Sequence, residues 1–215
     1  MNETRFTRLW LAFADRVTAD RDHLTALDAA IGDADHGTNL SRGLEAVRQA
    51  LTAPDVPGDL AARSRLVAMT LMSTVGGASG ALWASFMLAA AGQLPAAPAA
   101  DAAAALAALR AGVEAIRRRG GAAPGDKTMV DVWVPALAAL ETALAAGRSP
   151  AAALADAARA AREGAAATVP LEARKGRAAY LGPRSRGHLD PGALSCSYFW
   201  ESAAAVWAEE RGDPA

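Results

Sequence analysis

The sequence predicts an all-α protein, and three observations carry that prediction. Alanine supplies 59 of the 215 residues, and it is the best helix former and a poor strand former. Only 5% of the residues are aromatic, and no segment shows the alternation of a half-buried strand. Capping residues, glycines and prolines cut the chain into helix-sized pieces.

The pieces follow in order. Residues 5–19 place Phe6, Leu9, Trp10, Phe13 and Val17 at helical spacing. Asp20 or Asp22 caps a second helix through Leu24 and Leu27 to Ile31, and residues 32–37 form a turn of Gly, Asp and His. Thr38 or Asn39 caps a helix to about Leu51, and residues 52–58, with two prolines and a glycine, read as a loop. Asp59 caps a helix to about Val75; residues 76–80 break it, and another helix runs to about Gln93. After a loop over 94–98, Asp101 opens an alanine-rich helix that ends in Arg117, Arg118, Arg119 and Gly120, a C-terminal signature. A loop spans 121–126, and residues 127–146 read as a helix with Pro135 either kinking it or sitting in its first turn. Gly147 closes that helix, and Ser149 with Pro150 opens one to about Ala167. Residues 168–191 lack periodicity, and residues 193–210 form a last helix. This gives eight or nine helices in a single domain over 1–215.

Composition excludes several classes. The formal net charge is -1, unlike the basic balance of a nucleic-acid binder. Apolar residues at 52% exclude disorder. The single Cys196 rules out an internal disulfide framework and fits a reducing compartment. Charges at Glu3, Arg5, Arg8, Asp15 and Arg16 interrupt any signal-peptide core. Residues 66–100 carry no charge, but Ser73, Thr74, Gly76, Gly77, Ser79, Gly80, Gln93 and Pro95 break the run. Two buried helices, and not a membrane span, are expected there.

Four segments carry candidate chemistry. In Leu27-Asp28-Ala29-Ala30-Ile31-Gly32-Asp33-Ala34-Asp35-His36-Gly37-Thr38-Asn39, three carboxylates lie within eight residues around a glycine turn. Magnesium would relieve their repulsion and leave positions for phosphate oxygens. The following helix start offers free N–H groups and a positive dipole end. The alternative is an acidic loop in which Asp33 or Asp35 caps a helix. His36 reads as a structural or ligand-contacting residue, since His23 and His188 are the other two histidines and supply a zinc site poorly. The second segment, Val75-Gly76-Gly77-Ala78-Ser79-Gly80, allows either close backbone approach to a ligand or tight helix crossing. The third, Gly120-Gly121-Ala122-Ala123-Pro124-Gly125-Asp126-Lys127-Thr128, misses the nucleotide P-loop by one inserted residue. It also follows a helix where the P-loop follows a strand. The fourth holds Arg174, Lys175, Arg177, Arg184 and Arg186 with no acid between them, suited to bound phosphates, to an acidic partner or to solvent.

Together the segments LDAAIGDADHGTN, STVGGASG, RGGAAPGDKTMVDVWVP and ARKGRAAYLGPRSRGHLDPGA resemble one family, the nucleotide-binding L subunit of dihydroxyacetone kinase. They occur in the family's order across residues 27–193. The resemblance implies a single-domain antiparallel barrel of eight helices with the nucleotide in the loops at one end. It implies Asp28, Asp33 and Asp35 as ligands of two Mg2+ ions bridging the nucleotide's phosphates. It implies His36, Gly37, Thr38, Asn39, Ala78 and Ser79 as nucleotide contacts, Gly120 and Met129 near the adenine, and Arg177, Asp190, Pro191 and Gly192 in a lid. Arg177 is the candidate catalytic residue, stabilising charge on the phosphoryl oxygens. The expected partners are a separate sugar-binding subunit and a phosphohistidine carrier protein that rephosphorylates bound ADP. An ATP-dependent kinase of a triose or tetrose is the alternative, and the expected location is the cytoplasm. A magnesium-dependent phosphohydrolase and a nucleotide-sensing regulatory partner are the rival classes.

Overall fold

The computed structural model describes residues 1–209, and the expected end of the last helix at Glu210 lies outside them. Among the described residues there are nine α-helices and no strand: α1 (Glu3–Ala19), α2 (Arg21–Ile31), α3 (His36–Thr52), α4 (Leu60–Thr74), α5 (Gly77–Ala91), α6 (Ala102–Gly120), α7 (Val130–Ala145), α8 (Pro150–Ala167) and α9 (Pro191–Glu209). A 3-10 helix covers Arg177–Ser185, broken at Gly182 where φ is 55°. The all-α expectation holds, and no helix among these residues is long and apolar enough to cross a membrane.

Local chemistry sets most helix starts. Asn2, Asp59, Asp101 and Ser149 each accept a backbone N–H from three residues ahead, at 2.9, 2.7, 2.7 and 3.3 Å. Each removes one of the orphan donors of a first turn. Gly121 ends α6 in the left-handed conformation, one residue beyond the expected stop.

Several boundaries differ from expectation. The helix expected to be capped at 38 or 39 begins at His36, because Ala34 takes a left-handed φ of 61° and finishes the turn early. The glycine break shrinks to Val75 and Gly76, since glycines 77 and 80 join α5. The helix expected from 127 begins at Val130, because residues 123–128 are held as a loop by carboxylates described below; Pro135 then falls inside α7, not in its first turn. The segment 168–191 contains the 3-10 helix, whose three-residue repeat leaves no α period to read.

The chain divides into two compact units, each drawn from two stretches. The first joins residues 1–21 to 36–122. There α3 packs on α1 and α4, and α5 on α4 and α6. Its core is aromatic: Trp10 lies edge-on to Phe13 and to Trp83, each with ring centroids 6.0 Å apart, and Phe86 extends the stack from Trp83. Inside this unit Arg63 is buried and satisfied by the carbonyls of Glu3 and Pro57 and the Thr7 hydroxyl.

The second unit joins residues 22–35 to the chain from 123 onward. Here α8 packs against both α7 and α9. Trp133, Phe199 and Trp200 fill its centre, with Trp133 5.3 Å from each of the other two rings. Cys196 is fully buried in the same core, and burial pushes its thiol well above the usual range.

Candidate functional site

In the second unit, α2 ends at Ile31 and delivers Asp28 to a five-residue-scale turn that returns the chain at once. The Asp28 carboxylate accepts the backbone N–H of Asp35 at 2.8 Å, so the turn folds back on the helix that precedes it. Gly32 fits against Asp28 because it has no β-carbon; one there would collide with the Asp28 Oδ1 atom. The turn brings one oxygen each of Asp28, Asp33 and Asp35 to within 4.8 Å of one another. Asp28 is buried, Asp33 exposed and Asp35 between. The three carboxylates are hard oxygen donors gathered closely enough to share one or two small divalent cations. Asp33 and Asp35 are reachable from solvent, as a metal that must also meet phosphate requires. The residues fit magnesium on that ground.

A fourth charge meets this cluster. Arg177, exposed at the start of the 3-10 helix, pairs with Asp33 at 2.7 Å. Nearby, Ile31, Ala173 and Ala178 form a small buried cluster with Leu181 packed on it. The basic segment is therefore seated on the aspartate turn, not left in solvent. Arg186 pairs with Glu172 at 2.8 Å, and Ser185 links the Ala173 N–H to the Gly182 carbonyl. Tyr180 projects from the segment with 90% of its surface exposed.

The third motif is a structural loop. Asp126 accepts the Ala123 N–H at 2.9 Å. Asp131, in the first turn of α7, accepts the N–H groups of Gly125 and Thr128 at 2.5 and 2.8 Å. Lys127 has 1% exposure and a left-handed φ of 60°. Its ammonium donates to the carbonyls of Thr168 (2.6 Å) and His188. Burial lowers its pKa, opposed by Asp190 and Asp131. This lysine does not reach out as a P-loop lysine would, in line with the rejection of that motif. Met129 is buried beside it in sequence, just ahead of α7.

Asp190 caps α9 by accepting the Ala193 N–H at 2.7 Å. Desolvation of its carboxyl pushes the pKa up to about 7; the cap bond and Lys127 pull it down, and Asp131 and Asp28 add to the rise. Pro191 and Gly192 form the first turn of that helix.

In the first unit, His36, Gly37, Thr38 and Asn39 form the first turn of α3, and Ala78 and Ser79 lie in the first turn of α5. These two helix starts meet: a β-carbon on Gly76 would lie 3.0 Å from Asn39 Nδ2. Arg42 holds Asn39 at 2.8 Å and the Thr74 carbonyl at 3.1 Å. Both ends present N–H groups suited to an anion. Gly120 closes α6 in the same unit.

Asp131 and Lys127 were absent from the expected site. The signal for Asp131 is present in Thr128-Met129-Val130-Asp131, the spacing of a capping box.

Three clustered aspartates that could hold a divalent cation define, as a class, a candidate site for a metal-bound phosphate ester. Comparison with known proteins narrows the class. Residues 30–205 match the DAK2 domain. The chain is 40% identical over 201 residues to the PEP-dependent dihydroxyacetone kinase, ADP-binding subunit DhaL, of Escherichia coli (strain K12), covering 93% of this chain and 95% of that one. It is 38% identical over 200 residues, with the same coverage, to the PTS-dependent dihydroxyacetone kinase, ADP-binding subunit DhaL, of Lactococcus lactis. The crystal structure of the C. freundii dihydroxyacetone kinase in complex with AMP-PNP and Mg2+ superposes with a TM-score of 0.73 at 28% identity, over 93% of this chain and 33% of that longer one. The chain belongs to the DAK2 domain family, alongside the DhaL subunits.

Proposed function

We propose that this chain is the nucleotide-binding subunit of a dihydroxyacetone kinase, passing a phosphoryl group from magnesium-bound nucleotide to a short ketose held on a separate subunit. The observation that carries the reading is the Asp28, Asp33 and Asp35 cluster, its oxygens within 4.8 Å and its turn pinned by the Asp35 N–H. Relatives described as ADP-binding subunits, at about 40% identity over almost their whole length, support it.

In this reading Asp28, Asp33 and Asp35 would hold two magnesium ions, which would neutralise phosphate charge. The first turns of α3 (His36, Gly37, Thr38, Asn39) and α5 (Ala78, Ser79) donate backbone N–H groups to phosphate. Gly120 and Met129 flank the base, and Asp190, Pro191 and Gly192 belong to the lid. Arg177 is the catalytic cation, since its planar fork of N–H donors matches phosphoryl oxygens. The chain works in the cytoplasm as one functional domain over 1–215, with the closed eight-helix barrel as part of the proposal. ADP stays bound and is rephosphorylated by a phosphohistidine carrier protein, as the words PEP-dependent and PTS-dependent in the relatives' names suggest.

A second reading has a specific observation behind it. The chain is 43% identical over 183 residues to the L-erythrulose 1-kinase of Mycolicibacterium smegmatis, covering 32% of that protein. An ATP-dependent ketose (triose or tetrose) kinase subunit would then be the function.

Native mass spectrometry of the freshly purified chain separates these readings. Retained ADP with two magnesium ions is the expected result. An empty chain that binds Mg·ATP reversibly establishes the second reading. An empty chain that binds neither nucleotide with magnesium overturns both.

A further inference from the structure

Residues 169–187 form a loop whose two ends are tied together. The Gly187 N–H donates to the Val169 carbonyl at 2.8 Å. Just outside that bond lie Thr168 and His188, whose carbonyls both accept from the Lys127 ammonium. One buried cation thus spans the neck of the loop. A second tie runs from the Arg174 N–H to the Asp126 carbonyl, the residue before Lys127. The Thr168 hydroxyl also accepts the N–H of Asp190, fixing the exit of the neck to the start of α9.

The backbone at Lys127 is informative in itself. Its φ of 60° lies where side chains are strained and glycine is not. A residue needed only to make the turn would be glycine, as at Gly125 two positions earlier, where φ is 92°. At 127 the strained conformation carries a long cationic side chain inward, and two carbonyls receive it.

At its far side the loop carries Arg177, whose pairing with Asp33 reaches the metal cluster. We propose that Lys127 is a positioning residue: it clamps the neck of the 169–187 loop and thereby sets where Arg177 stands over the nucleotide phosphates. It touches neither metal nor substrate; it acts through the loop. This inference rests on the reading of Arg177 as the phosphate-facing residue of the lid.

The test uses the full chain with two substitutions. Lys127→Met keeps the apolar stem and removes the ammonium. Lys127→Gly removes the clamp while relieving the left-handed strain, so it keeps the turn even if the first variant fails to fold. Amide hydrogen exchange without nucleotide should speed up by about tenfold or more across 169–187 in both variants, with α8 unchanged, because the loop then opens on its own. Affinity for Mg·ADP should fall by about 10–100-fold, the usual cost of losing a supporting contact behind a site. Adding Arg177→Ala to either variant should weaken binding no further than Arg177→Ala alone, the signature of one residue working through the other. Exchange that rises equally through α7, α8 and α9, an unchanged loop, or strictly additive losses would overturn the proposal. If wild-type chain binds no Mg·ADP, the nucleotide reading fails, and the exchange arm still judges the clamp. Should neither variant fold, wild-type exchange decides: residues 169–187 and 123–131 opening as one unit supports the clamp, and separate opening refutes it.

Discussion

Gly32 is the smallest residue of the aspartate turn and one of the least replaceable. A β-carbon there would press on the Asp28 oxygen that helps form the aspartate cluster. Gly32→Ala should move that carboxylate or the turn, at a cost of about 1–3 kcal/mol, and should lower magnesium affinity beyond what the stability loss explains. Isothermal titration with Mg·ADP beside a urea melt measures both; unchanged affinity would detach Asp28 from the metal. Asp190 offers a pH signature. An unfolded aspartate ionises near 3.8, whereas in the fold this carboxyl keeps its proton to about 7. The folded state binds the extra proton, so the stability from this group is fully present below pH 3.8 and is lost as pH rises through about 7. Asp190→Asn keeps a capping oxygen and removes the titration. Measured in chelator, the variant should gain on wild type between pH 4 and 7, on the order of 2–4 kcal/mol. Parallel pH curves for the two proteins would show that the carboxyl ionises normally.

At the level of elements, the loop before α7 depends on one side chain. Asp131 receives two backbone N–H groups and sits on the turn that holds Lys127. Asp131→Ala orphans both donors and should cost about 3–6 kcal/mol, the sum of two hydrogen bonds to a charged group; chemical denaturation checks it, and a loss under about 0.5 kcal/mol would mean water replaces the carboxylate freely. The legibility of the sequence follows the same lines. Asp59, Asp101 and Ser149 announced their helices because a cap is decided within four residues. The aspartate cluster was readable for a similar reason: its members lie within eight residues of each other. Arg177 against Asp33 was not readable from spacing, since 144 positions separate them and only the family resemblance linked the two segments. The inward turn of Lys127 was hidden as well. A left-handed lysine leaves no periodic trace, and its acceptors are backbone carbonyls, which every residue possesses.

For the whole molecule, ligand and stability are linked. Three carboxylates drawn together without a cation repel one another, and Mg·ADP that binds only the folded chain stabilises it by about 4 kcal/mol at a thousandfold excess over Kd. Exhaustive dialysis against chelator should therefore lower the melting temperature by several degrees, roughly 2–4 °C per kcal/mol for a chain of this size, and Mg·ADP should restore it. Magnesium or ADP added alone should restore less than the pair, because the cation and the phosphates each neutralise charge that the other brings. A melting temperature indifferent to all three treatments would remove the aspartate cluster from any ligand role.

The way each compact unit is assembled from two separated stretches has a consequence during synthesis. Residues 22–35, with all three aspartates, belong with the chain from 123 onward. A ribosome that has released the aspartate turn has still to add about 90 residues before the first of its companions emerges. At roughly 5–20 residues per second, that wait lasts some seconds. The segment 36–122 leaves the tunnel in the meantime and can settle with 1–21 while the aspartates stay unescorted. Cation binding is thereby deferred until the chain beyond residue 123 has emerged, so a nascent chain that stops short of it is poorly equipped to capture nucleotide.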